Sequence, residues 1–144
     1  MDVCGSQIWV GDKKGNLHIL DATATEVKCI EGKHSKAVTV VASNGKVVAT
    51  GDAYRYIHVW DGESHEAMFS SGDHKDKILD LFFSETHLLS VTHDNAFGVS
   101  SLEEKKFMRQ QKLPHLEKQV FSAVFSNGSI VTLGSDCALR TWSL

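Results

Sequence analysis

His74, Ser90 and Asp94 are the residues of this 144-residue chain whose types could do chemistry together. An imidazole between a hydroxyl and a carboxylate is the hydrolytic triad, which also needs an exposed nucleophile and an oxyanion hole. No nucleophile elbow or glycine-rich cradle of such sites surrounds Ser90. The residues read instead as a buried hydrogen-bond network that ties a loop to a sheet. In it the turn carboxylate accepts from the imidazole, and the hydroxyl satisfies the other ring nitrogen. Removing one member strands the rest, at a cost of about 1–3 kcal/mol. His18, His58, His65, His87 and His93 lie in different segments without HxH or i,i+4 grouping, so they read as solvated strand or loop positions. No catalytic residue, metal ligand or cofactor site is assigned.

The elements that must hold this network are strands. Apolar runs at 78–83, 88–92 and 96–100 are separated by polar breaks at 84–86 and 94–95. Short runs with turn chemistry between them predict antiparallel strands. The skeleton recurs: Asp94 lines up with Lys14, Tyr54 and Asp136, at spacings of 40, 40 and 42 residues. Leu17, Ile57, Phe97 and Leu139 follow three residues later, then Leu20, Trp60, Ser100 and Trp142. His34, His74 and His115 precede the turns, and Ser43, Ser84 and Ser126 end the first strand of their units. A four-stranded unit of about 40–45 residues is the length of a propeller blade.

The expected architecture is all-β: 1–144 as one partial propeller of about three and a half four-stranded antiparallel blades. Residues 7–31 form an incomplete blade of three strands, because only six residues precede Gln7. Complete blades follow at 32–71 and 72–113, and 114–144 is again three-stranded, its fourth strand supplied from elsewhere. Asn44-Gly45 and Asn127-Gly128 are expected as two-residue hairpin turns. An open arc leaves unpaired edges. Ring completion by a missing N-terminal part of the chain, or by a second copy giving about seven blades, is therefore expected.

A net charge of −3 argues against nucleic acid, which selects a basic face. No apolar run approaches the ~18 residues of a membrane span. Cys4, Cys29 and Cys137 lack CxxC spacing, so neither a disulfide framework nor a zinc site is suggested, and a reducing setting is expected. Tyr54-Arg55-Tyr56 sets an arginine between two aromatics, the composition of interface hot spots. Tyr54 could equally fill the space of a missing turn aspartate.

The units resemble WD40 repeats, whose pattern runs Gly-His, Ser/Thr, turn Asp and Trp-Asp. It reads here as Gly32-Lys33-His34, Thr50 and Trp60-Asp61, then Gly72-Asp73-His74, Ser90 and Asp94, then His115, Thr132, Asp136 and Trp142. Within that class, VVATGDAYRYIHVWD (47–61), the GxH at 72–74 and LLSVTHDNAFGV (88–99) are similar to the C-terminal propeller of the actin-interacting protein 1 family. The resemblance implies a non-catalytic, cytoplasmic, cytoskeleton-associated scaffold that binds actin and cofilin and promotes filament disassembly. The alternative is a generic WD40 adaptor subunit of another complex. The resemblance also implies that Tyr54 and Ser100 depart from the pattern's turn Asp and Trp.

Overall fold

Asp, Asn, Gly and Ser punctuate the chain so often that no apolar run can extend into a helix. In a computed structural model, which describes residues 1–112, 120–126, 128–134 and 137–143, no described residue is helical. The first sheet joins β1 (Asp2–Cys4), β2 (Gln7–Gly11), β3 (Leu17–Leu20) and β4 (Glu26–Ile30) in chain order. The second joins β5 (Val38–Ser43), β6 (Val47–Asp52), β7 (Ile57–Asp61) and β8 (Ala67–Ser71). The third holds β9 (Ile78–Phe83), β10 (His87–Thr92), β11 (Ala96–Ser101) and β12 (Lys106–Lys112), and the fourth β13 (Val120–Ser126), β14 (Ser129–Gly134) and β15 (Leu139–Ser143). Every neighbouring pair is antiparallel.

Two expectations are corrected. The first unit has its opening strand: β1 turns at Gly5 (φ +60°) and pairs Asp2 with Trp9 and Cys4 with Gln7. Three residues suffice because the strand is fastened from outside, the Asp2 carboxylate accepting the Ser43 N–H at 2.7 Å. At the second hairpin, Asn44 N–H bonds the Val47 carbonyl, so the two-residue loop is Gly45-Lys46 and Asn44 precedes it. Only Gly45 takes a positive φ there, at +89°, while the Asn44 side chain accepts the Lys46 and Val47 N–H groups. Asn127 of the other expected turn lies outside the described residues.

The sheets stack face to face through one repeated core. Trp9, Leu17 and Ile19 of the first sheet meet Val41, Val48 and Trp60 of the second. Ala49, Ile57 and Val59 of the second then meet Ile78, Leu81 and Leu88 of the third. Leu89, Phe97 and Val99 of the third meet Ala123 and Ile130 of the fourth. Glycines near the ends of β2 and β6 permit the approach. A Cβ on Gly51 would lie 2.6 Å from Ile78 Cγ2, and one on Gly11 would strike Val38 in the same way. The register of each outer strand also slips at one place in the unit, between Ile19/Leu20, Val59/Trp60 and Val99/Ser100.

Candidate functional site

Among the described residues, the second sheet holds the fullest polar network. Thr50 and Asp52 sit on β6, Trp60 on β7, and His34 in the segment before β5. The His34 and Asp52 side chains are fully buried, with His34 Nδ1 3.1 Å from Asp52 Oδ2. His34 Nε2 lies 2.8 Å from Thr50 Oγ1, and Trp60 Nε1–H donates to the same oxygen at 3.0 Å. With Nδ1–H given to the carboxylate, Nε2 accepts the Thr50 hydroxyl proton, a tautomer assigned from the available partners.

The other Asp52 oxygen accepts the backbone N–H groups of Tyr54, Arg55 and Tyr56, at 3.0, 2.9 and 2.9 Å. Burial strongly opposes ionisation of Asp52. The His34 bond and the N–H groups of Tyr56 and Tyr54 outweigh it and hold the carboxyl below the usual range. One buried anion therefore fixes both an internal chain of hydrogen bonds and the backbone of an exposed turn.

That turn carries Tyr54, Arg55 and Tyr56. The Arg55 guanidinium sits 5.3 Å from the Tyr54 ring centre and 5.6 Å from that of Tyr56, and the two rings are 6.2 Å apart. Tyr54 is 51% exposed. An arginine held between aromatic faces is a cation–π arrangement presented on a fixed backbone. The acid of this unit is thus Asp52, two residues before Tyr54, so Tyr54 stands in for no missing aspartate.

In the third sheet His74 Nε2 lies 3.0 Å from Ser90 Oγ, and both residues are buried. Asp94 does not accept from His74, contrary to the expected network. Thr92 occupies the position of Asp52, and its hydroxyl bonds Asp94 at 2.6 Å and faces the Ala96 carbonyl at 3.0 Å. His74 Nδ1 is buried without a hydrogen-bond partner among the described residues. Burial pushes the His74 imidazole down to about 4, with Asp73 and Asp94 pulling weakly the other way. Gly98 makes room for this ring: a Cβ there would lie 2.8 Å from Ser90 Oγ and 2.7 Å from Phe107.

In the fourth sheet Trp142 Nε1–H donates to the buried Thr132 hydroxyl at 3.0 Å, repeating Trp60 and Thr50. His115 and Asp136 lie outside the described residues. In the first sheet Val10 and Leu20 replace Thr50 and Trp60, but Asp12 keeps the turn. Its carboxylate accepts the Lys14 and Asn16 N–H groups at 2.7 and 2.8 Å.

Of the remaining histidines, His58 and His65 are less solvated than their sequence positions suggest. His58 packs edge-on against His34 at 4.5 Å, and burial followed by His34 lowers it to about 4. His65 bonds Gln7 at 2.8 Å and meets Trp9 edge-on, while His87 bonds Thr86 at 2.8 Å. His93, half exposed, is 3.4 Å from Asp76.

His18 Nδ1 lies 2.6 Å from Glu26 and Nε2 3.3 Å from Asp12, so its basicity rises, chiefly through Glu26. Donor atoms of His18, Glu26 and Cys29 all lie within 4.8 Å of one another, a spacing that could admit a metal ion. The imidazole nitrogens are already engaged by carboxylates. Burial and then Glu26, Glu31 and Asp12 raise the Cys29 thiol, which favours its protonated form.

No family model matches the chain. It is similar to p21-activated protein kinase-interacting protein 1-like of Xenopus laevis, 32% identical over 77% of this chain and 31% of the relative. It is also similar to WD repeat-containing protein JIP5 of Coprinopsis cinerea, 28% identical over 71% of this chain and 26% of the relative. The chain thus spans a third or less of the length of both curated relatives. Among solved structures, the computationally designed Ika8 protein matches 99% of this chain and 44% of its own, with a TM-score of 0.86 and 18% identity. The RRP9 WD40 repeats match 96% and 45%, with a TM-score of 0.79 and 24% identity. Four stacked antiparallel sheets, a repeated buried network and these likenesses converge: by fold, the chain is a run of WD40-repeat β-propeller blades.

Proposed function

We propose that this chain is a non-catalytic protein-binding scaffold, with the Tyr54-Arg55-Tyr56 turn as a contact surface. The observation that carries this is Asp52, which binds three successive N–H groups of that turn from inside the sheet. A contact loop ordered before binding loses little entropy on association, and Tyr and Arg dominate interface energetics. The triad-like groups argue in the same direction. Ser90 and His74 are sealed in the core, and Asp94 is bonded by Thr92, so the set lacks both an exposed nucleophile and a carboxylate on the imidazole.

Two finer readings follow from different observations. The motif at 47–61 and its companions support binding to actin filaments and cofilin. The 32% identity to a p21-activated protein kinase-interacting protein supports an adaptor that binds such a kinase. Co-sedimentation with filaments, with and without cofilin, tests the first, and capture on immobilised kinase tests the second. In whichever assay binds, Tyr54→Ala and Arg55→Ala are expected to weaken affinity by at least tenfold while leaving the circular dichroism spectrum unchanged. Retained affinity in both variants would remove the turn from the binding surface.

A further inference from the structure

The chain's two terminal sheets each leave one face uncovered, and the two faces are complementary by the rule that builds every internal junction. The covering residues of a sheet recur as Trp9, Ala49 and Leu89, as Leu17, Ile57 and Phe97, and as Ile19, Val59 and Val99, each triplet 40 residues apart. Adding 42 residues to the last of each gives Val131, Leu139 and Thr141 of the fourth sheet. The receiving residues recur as Val41, Leu81 and Ala123 and as Val48, Leu88 and Ile130. Subtracting 40 from the first of each gives Met1 and Ile8 of the first sheet, and Trp60 gives Leu20 in the same way.

The faces carrying these positions are covered in every junction inside the chain and only partly covered at its ends, where Leu139 and Met1 are exposed and Val131, Ile8 and Leu20 are half-buried. Val124, Leu133 and Leu139 of the fourth sheet are 55%, 41% and 69% exposed, and Met1 and Val3 of the first are 84% and 56% exposed. An apolar sheet face left open in this way marks an association surface. The same exposures show that the four sheets do not close on themselves, although rings of four exist. Their curvature is shared with the Ika8 chain, whose length exceeds twice the part they match.

We infer that two copies of this chain associate head to tail, the Val131–Leu139 face of one against the Met1–Ile8–Leu20 face of the other, closing a ring of eight sheets. Both junctions are heterologous, each pairing unlike faces, and such a pair closes when the rotation returns after two copies. Eight is within the usual range of propeller blades. A second copy supplies both faces at once, in the residue pattern already used three times within the chain.

Sedimentation velocity on the full chain across concentration tests this. The wild-type chain is expected at twice its monomer mass. Leu139→Glu and Val3→Glu, each at an exposed position on a different face, should each give a monomer with an unchanged circular dichroism spectrum. An equimolar mixture of the two variants should regain a dimer, because one of its two junctions then pairs two intact faces. A wild-type monomer would overturn the proposal, as would open polymers or a Val3→Glu chain that stays dimeric.

Discussion

Asp52 and Asp94 look alike in the sequence and differ in consequence. Asp52 is buried and accepts from an imidazole and three backbone donors, whereas Asp94 is partly buried and bonded to Thr92. Hydrogen bonds to charged groups contribute about 1.5–3 kcal/mol, and buried donors left unpaired add to the loss. Asp52→Ala is therefore expected to lower unfolding free energy by about 3 kcal/mol, and Asp94→Ala by under about 1 kcal/mol, in urea titrations at pH 7. Equal losses would mean that the buried chain from His34 to Trp60 does not stabilise the sheet.

His74 sets a pH dependence. Its folded value of about 4 lies below the ordinary 6.5, so the unfolded chain binds the proton more readily between those limits. Stability is then full above pH 6.5 and falls as the pH drops toward 4, by about 3 kcal/mol for this one group. His58, lowered to about 4 by burial and the neighbouring His34, acts in the same sense. His18 acts oppositely: its raised pKa gives stability present below pH 6.5 and lost as the pH rises through the folded value. Comparing His74→Gln with the wild-type chain isolates the first effect, and the variant's urea midpoint should vary less between pH 7 and pH 5.

At the scale of the strand, Gly98 is the sharpest test of packing. Gly98→Ala must displace the His74 ring, Ser90 Oγ or Phe107, and overpacking a filled core typically costs 1–3 kcal/mol. A drop in thermal midpoint is expected, relieved in part by Phe107→Leu. Strand positions were legible because period-2 runs and Asn, Asp and Gly turns mark them locally; β9 begins and ends at the residues those signals give. β1 was not legible, since three residues between Met1 and Gly5 carry no alternation and its anchor, the Ser43 N–H, is distant in sequence. The acid of the network lies two residues before the aligned turn position. Aligning on Lys14, Tyr54 and Asp94 hid a second repeat, Asp12 with Asp52 and Asp21 with Asp61, whose carboxylates bind the N–H groups of their own turns. Thr92 breaks that series, and no local rule announces that a hydroxyl has taken a carboxylate's place.

For the molecule as a whole, each described sheet packs on its chain neighbours, so stability is close to a sum of unit and junction contributions. The fourth sheet has three described strands and one covered face. Its amides in β14 should exchange faster than those of β6 and β10 in the isolated chain, by native-state hydrogen exchange. Protection in β14 should rise with protein concentration if the two open faces meet. Uniform exchange at every concentration would contradict both the graded stability and the association.

The clash-free seats at Gly11 and Gly51 make the junctions interchangeable. Val38 fills the first and Ile78 the second, forty residues apart in both seat and occupant. Excising residues 32–71 would bring Gly11 against Ile78, one β-branched side chain replacing another. Such a shortened chain is expected to refold cooperatively, whereas removal of half that span would set a polar strand face on the apolar one. Length in this chain is thus adjustable in whole units, like links rather than like rope.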